Sequence, residues 1–361
     1  MRIGNVLACA SVVAVARAAT WSLKDTYSGD DYMSKFDYFT DKDPTNGLVV
    51  YENEETAKSL NLTYVDNNGN FVLRTDTVQQ RSEGRPSVRL QSQATYENAV
   101  IMLQVSHYPT GCAVWPAFWT VTSNITQWPT GGEIDILENV NDQYPSDLVS
   151  VHVKDRCSVS GTNQTGTTAF SSCYAYDNEN SGCRIETNNT NTATAGSSFN
   201  SKGGGVVAMQ RDFSSGGQGI RVWIWDNSES MPSDVSKPGN TVDPDQWGTP
   251  AANFGRLSCE GGGDAADLFD AHKIVFDITL CGDWAGNAYS LNAQCPSKYQ
   301  SCANQVGESG SSFDDAYWTV KNLYVYETGD SSSSSAASRS SPRYAPYAFG
   351  ATLIILTVLL L

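Results

Sequence analysis

Gly131-Gly132-Glu133-Ile134-Asp135-Ile136-Leu137-Glu138-Asn139 reads as a β-strand opened by a glycine pair. Side chains alternate between the two faces of a strand, so Glu133 and Asp135 share one face while Ile134 and Ile136 take the other. Glu138 stands five residues after Glu133 and would point away in a regular strand. One extra residue, a β-bulge, returns it to the face of the other two acids. A regular strand would separate the outer Cα atoms by roughly 16 Å, and a bulge shortens that. The stretch therefore predicts three carboxylates lining a cleft, with the isoleucines entering a core. A solvated acidic face or a calcium site would show the same string, so the surroundings have to decide.

Paired carboxylates about 5–5.5 Å apart suit retaining glycoside hydrolysis, in which one is an ionised nucleophile and the other a protonated acid. Crowded acids force their pKa values apart, because adjacent negative charges disfavour full ionisation. Asp135 in the middle supplies that coupling and, when protonated, can hydrogen-bond the nucleophile. Spacing alone does not assign the two glutamates.

Outward from this strand, short apolar runs recur at Gly47–Tyr51, Phe71–Arg74, Ala99–Val105, Val206–Met209, Ile220–Trp225, His272–Leu280 and Trp318–Tyr326. They are rich in β-branched and aromatic residues and are separated by Gly, Asn, Asp, Ser and Pro clusters. That pattern predicts an all-β antiparallel sandwich. Asp31–Phe36 fits a short helical turn. The polar segment Cys157–Gly205, which holds three cysteines, reads as a long surface excursion pinned by disulfides.

The formal net charge of −16 would repel a polyphosphate, so no nucleic-acid partner is expected. The histidines, His107, His152 and His272, are isolated and show no zinc-hydrolase spacing. The glycine runs Gly203–Gly205 and Gly261–Gly263 lack phosphate-loop context, and no G-x-S-x-G elbow occurs. No cofactor or catalytic metal is expected, although a structural calcium ion is compatible with the acidic residues.

Residues 1–18 read as a secretory signal: Arg2, an apolar run from Val6 to Ala16, then Ala16-Arg17-Ala18. Of nine cysteines, Cys9 leaves with that signal, and the other eight imply disulfides in an exported chain. Cys295 and Cys302, close in sequence, are the natural guess for one pair. Sequons at Asn61, Asn124, Asn163 and Asn188 predict glycosylated surface loops. The even composition of residues 19–328 predicts one sandwich domain. Residues 329–347 form a Ser-rich spacer with Arg339 and Arg343, and 348–361 an apolar tail that no basic residue follows. Together they fit a GPI-attachment signal, which implies secretion and membrane contact through that anchor alone; a tail anchor, which the stretch is just long enough to form, is the alternative.

Upstream of the acids stands Pro109-Thr110-Gly111-Cys112-Ala113-Val114-Trp115-Pro116-Ala117-Phe118-Trp119-Thr120. With Glu133–Asn139, this resembles glycoside hydrolase family 16, particularly fungal laminarinase-like endo-β-1,3(4)-glucanases. The resemblance extends to Arg85–Arg89, Ser150–Val153, Pro250–Gly255 and Cys281–Gly286, in the family's order. It implies a β-jelly-roll sandwich of two antiparallel sheets with a concave cleft for a β-glucan substrate; a monomer is expected. It also implies roles: Glu133 as nucleophile, Glu138 as general acid/base and Asp135 as the residue assisting the nucleophile. Trp115, Trp119 and Trp284 are candidate sugar platforms, and Arg89 and His152 candidate partners of sugar hydroxyls. Phe118, Trp223 and Trp225 are expected in the core. The family also contains GPI-anchored wall transglycosylases whose motif usually lacks the extra residue. The bulged form here points to hydrolysis, with transfer as the alternative. A lectin-like glucan-binding module is a further alternative, disfavoured by retention of all three acids.

Overall fold

The computed structural model describes residues 20–78, 84–142, 147–187, 192–291, 295, 299–308 and 310–328. The signal, the anchor segments (329–361) and the Asn188 sequon lie outside them. Each apolar run becomes a strand. Phe71–Arg74 and His272–Leu280 match the expected bounds, and Tyr317–Thr328 extends the last run at both ends.

Two large antiparallel sheets stack as a β-jelly roll. One has eight strands in the order Thr167–Phe170, Cys183–Glu186, Leu148–His152, Glu133–Glu138, Val114–Thr122, His272–Leu280, Arg89–Ser92 and Phe36–Tyr38. The other has nine, centred on Tyr317–Thr328, Ala99–His107, Gly205–Asp212 and Gly219–Asp226. A small departure from the antiparallel expectation is Val49–Tyr51, which pairs in parallel with Arg85–Ser87. The short helix Asp31–Ser34 falls where it was expected.

Alternation places the core. Phe118, Ile134, Ile136, Ile274, Phe276 and Ile278 leave the eight-stranded sheet toward Ile101, Leu103, Met209 and Leu323 of the other, and all are buried. The Phe118 and Phe276 rings pack at 4.6 Å between centroids, and truncating such a ring to Ala costs about 3–5 kcal/mol. Trp223 and Trp225 pack in a second cluster with Trp21, Trp247 and Tyr326, as expected of core residues.

Two sequence expectations need correction. Cys295 pairs with Cys112, and Cys302 with Cys281; the other pairs are Cys157–Cys259 and Cys173–Cys183. Proximity in sequence misled, because fold topology and not spacing brings half-cystines together. The segment from Cys157 to Gly205 is pinned by disulfides, but it is more than an excursion. Thr167–Phe170 and Cys183–Glu186 extend the eight-stranded sheet beyond the acidic strand.

Candidate active site

The predicted bulge is present. Asp135 lies opposite Trp119, yet Leu137 lies opposite Phe118 and Glu138 opposite Ala117, so Ile136 is the extra residue. The glycine pair before it is required. Gly131 and Gly132 have φ of +89° and +80°, and an added Cβ would lie 2.6 Å from Thr122 Oγ1 and 2.5 Å from Phe269, respectively.

Residues directly opposite on neighbouring strands share a face, so the pairing defines the cleft floor. One row reads Arg184, Ser150, Asp135, Trp119, Val275. The next reads Glu138, Ala117, Asp277, Arg89. Glu133 lies opposite His152. The three acids thus stand on the face away from the core.

Each acid has its own neighbours. Trp128 Nε1–H donates to Glu133 Oε2 at 3.0 Å, and Trp115 Nε1–H donates to Glu138 Oε1 at 2.7 Å. His152 Nε2 lies 3.2 Å from Asp135 Oδ2 and 4.0 Å from Glu133 Oε1. Burial, then the charge of Asp135, push Glu133 up to about 8. Burial pushes Asp135 up to about 7 against the pull of Arg184. Burial and Asp135 push Glu138 up to about 8, opposed by the Trp115 hydrogen bond. The three oppose one another's ionisation and titrate as one cluster.

The other expected sugar-contacting residues divide. His152 joins the acids. Trp115 and Trp284 pack edge to face at 5.5 Å and wall the Glu138 side. Trp119 is buried. The Arg89 guanidinium lies 4.7 Å over its ring, and its Nε1–H donates to Asp277 Oδ2 at 3.1 Å. Arg89, only 3% exposed, is held between Phe39 and Trp119. Asn61, Asn124 and Asn163 are exposed, as their sequons require.

Sequence reasoning missed Trp128, Ser150, Arg184, Asp147 and Asp277. Trp128 stands five residues before Glu133 and had a local signal. Asp147 Oδ1 accepts the Glu138 backbone N–H at 2.7 Å from a fully buried position. Asp277 alternates with core residues in its strand and so faces the cleft floor, a signal that its register with Arg89 completes. Burial pushes Asp277 up to about 7, with Arg89 opposing.

Ligand atoms of Glu133, Asp135 and His152 lie within 4.8 Å of one another, close enough to hold a cation. The chemistry of this donor set fits poorly, because burial favours the protonated acids and a cation needs carboxylates.

A bulged strand sets two differently held glutamates on the open face of a jelly roll, the kind of arrangement that two-carboxylate glycosidases use. Residues 36–326 match the family model described as XgeA-like, catalytic GH16 domain, and the chain belongs to that family. A protein of Schizosaccharomyces pombe named "Probable glycosidase" is 38% identical over 315 residues, covering 86% of this chain and 70% of that one. One of Aspergillus niger named "Probable endo-1,3(4)-beta-glucanase" is 36% identical over 342 residues, covering 92% and 43%. The chain spans about half the length of most of the curated relatives it matches. Laminarinase 16A from Phanerochaete chrysosporium, solved with 6-O-glucosyl-laminaritriose in donor and acceptor sites, superposes with a TM-score of 0.77. It is 35% identical, with 86% of this chain and 100% of that one covered. An elongating GH family 16 β-1,3-glucosyltransferase superposes with a TM-score of 0.74 at 35% identity, covering 85% and 100%.

Proposed function

We propose that the protein is a retaining endo-β-1,3(4)-glucanase. The observation that carries this reading is the register shift between Asp135 and Leu137, which brings Glu138 to the face of Glu133 and Asp135. The names of the relatives point the same way.

In the first step Glu133, ionised, attacks the anomeric carbon, and the bond to the leaving oxygen breaks as Glu138 gives that oxygen its proton. In the second step Glu138 takes a proton from water. The water oxygen bonds to the anomeric carbon, and the ester bond to Glu133 breaks with its electrons returning to the carboxylate. His152, beside Asp135, orients the carboxylate next to the nucleophile. Coupling among the three acids lets Glu138 hold a proton while Glu133 is ionised. Trp128 and Trp115 hold the two glutamates at separate places by their indole N–H groups.

Glu133→Gln and Glu138→Gln should each abolish release of reducing ends from β-1,3- and mixed-linkage glucans while the fold survives. NMR of the first products should show the β-anomer. Near-normal activity in either variant, or an initial α-anomer, would refute the assignment. Transfer to a second glucan is the second reading, favoured by the similarity to the elongating glucosyltransferase. Labelled acceptor oligosaccharides entering polymer, with few new reducing ends, would mark it.

The same proposal places the protein outside the cell as a monomer, GPI-anchored, with no cofactor. Four disulfides and exposed sequon asparagines support an oxidising secretory route. Release from cells by a phosphatidylinositol-specific phospholipase checks the anchor.

A further inference from the structure

We propose that His272 is a positioning residue for Glu133: its ring, bonded to Thr120 on one side and to the Gly131 carbonyl on the other, fixes the turn that aims the carboxylate at the anomeric carbon. The inference rests on the glucan-cleaving reading above. It concerns the core side of the acidic sheet, away from the cleft.

His272 opens the strand beside Val114–Thr122, and its backbone is held twice. It lies opposite Thr122 in the ladder, and it exchanges both backbone hydrogen bonds with Tyr96, at 2.8 and 2.9 Å. Side chains alternate along a strand, so His272 shares the inward face of Ile274 and Phe276. The ring is buried. Nε2 lies 2.7 Å from the Gly131 carbonyl oxygen, and Nδ1 lies 3.0 Å from Thr120 Oγ1. A carbonyl only accepts, so Nε2 carries the proton and Nδ1 accepts from the Thr120 hydroxyl.

The surroundings keep that tautomer. Burial, then the charge of Arg211 on the facing sheet, hold His272 well below the ordinary histidine range. Arg211 is itself fixed, donating from Nε to the Glu97 carbonyl and from a terminal nitrogen to the Tyr96 carbonyl, both at 2.6 Å. The nearby Asp270 carboxylate accepts from Thr122 Oγ1–H at 2.7 Å. The imidazole stays neutral, with both nitrogens occupied.

The turn it holds needs holding. Trp128 and Glu133 bracket a turn that ends in Gly131 and Gly132, both at positive φ. Glycine moves among backbone conformations at little steric cost, so the pair that admits the chain to the strand is also its least restrained part. Three bonds fix it from outside. Gly131 O accepts from His272 Nε2–H at 2.7 Å and from the Asp270 N–H at 3.2 Å, and Gly132 O accepts from the Thr122 N–H at 3.2 Å. The His272 bond is the shortest. Trp128 Nε1–H bonds the Glu133 carboxylate, so the nucleophile's backbone and its indole partner both depend on this turn. Attack on carbon is steep in distance and angle, whereas glucan binding is spread along the cleft. Loss of the His272 bond should therefore slow attack and leave binding nearly unchanged.

The test isolates the attack step. The probe is a 2-deoxy-2-fluoro-β-glycosyl fluoride of a β-1,3-gluco-oligosaccharide. Glu133 bonds to its anomeric carbon, and fluoride leaves with the electron pair of the bond that breaks. The fluorine at C2 slows the second step, so the ester accumulates and mass spectrometry counts it. His272→Leu should reach one label per chain at about one-tenth of the wild-type maximal rate, with the half-saturating probe concentration unchanged. His272→Gln can donate to Gly131 and accept from Thr120, and it should recover most of that rate. Thr120→Val removes the hydroxyl at constant bulk and should slow labelling about fivefold, the scale of one hydrogen bond. It decides the matter if His272→Leu does not fold. Wild-type rates in these variants, or a Gln variant no faster than Leu, would overturn the proposal. So would a wild-type rate on a smaller labelled fraction, which marks a role in folding alone. Wild-type protein that neither takes the label nor cleaves β-1,3-glucan would instead refute the glucanase reading.

Discussion

Glu138 donates its backbone N–H to Asp147 Oδ1 at 2.7 Å, and Asp147 is fully buried beneath the bulge. The bulge takes this N–H out of the regular ladder, and Asp147 receives it. Thr187 Oγ1–H donates to the Asp147 carbonyl and Asp147 N–H to Thr194 Oγ1, both at 2.9 Å, so the receiving loop is itself held. Asp147→Ala should cost about 1–3 kcal/mol of stability and lower kcat more than it raises KM. Asp147→Asn retains an acceptor and should cost less. Urea unfolding and steady-state kinetics check both. Equal effects of the two substitutions would show that the hydrogen bond is not what matters.

The alkaline limb of kcat/KM should move in opposite directions in two variants. The charge of Asp135 raises the Glu138 pKa, so Asp135→Asn should shift the limb to lower pH. The Trp115 hydrogen bond lowers it, so Trp115→Phe should shift the limb to higher pH. A pH–rate profile on a β-1,3-gluco-oligosaccharide, whose leaving sugar needs the proton, reads both shifts.

The three acids bind protons more tightly folded than unfolded. Their contribution to stability is therefore fully present below the unfolded carboxylate range and lost as pH rises toward about 7 to 8. Glu138→Gln removes one such group. The melting temperature of this variant relative to wild type should rise between pH 5 and pH 8, and a constant difference would contradict the raised pKa.

Cys281 and Cys302 tie the turn that carries Trp284 to the helix Cys302–Glu308. Replacing both with Ser should cost about 2–5 kcal/mol of stability. It should also raise KM for glucan more than replacement of Cys157 and Cys259, whose bond joins a two-stranded pair outside the two main sheets. Denaturation and kinetics of the two double variants decide this.

A chelator should leave turnover unchanged. Glu133, Asp135 and His152 are close enough for a cation, but the proposed chemistry needs the Glu133 carboxylate free to attack carbon. Activity lost to chelation and restored by calcium would reverse that view.

The stretch Glu133 to Asn139 is legible locally because strand alternation is a property of the backbone, and a five-residue spacing between acids on one face demands one extra residue. The isoleucines between the acids were legible for the same reason. Trp119 and Arg89 lie in blocks resembling family 16, and sugar contact is what that resemblance implies for them. Their burial against each other depends on strands more than twenty residues apart in sequence.

By itself, the sequence determined the strand run, the bulge, the sandwich class and the three carboxylates, all consequences of short-range alternation and turn chemistry. Tertiary structure alone decided the disulfide partners, the buried acceptor under Glu138, and the row that places Ser150 and Arg184 beside Asp135. These depend on which distant strands become neighbours and in what register, and the side-chain pattern within a single strand does not encode its neighbour.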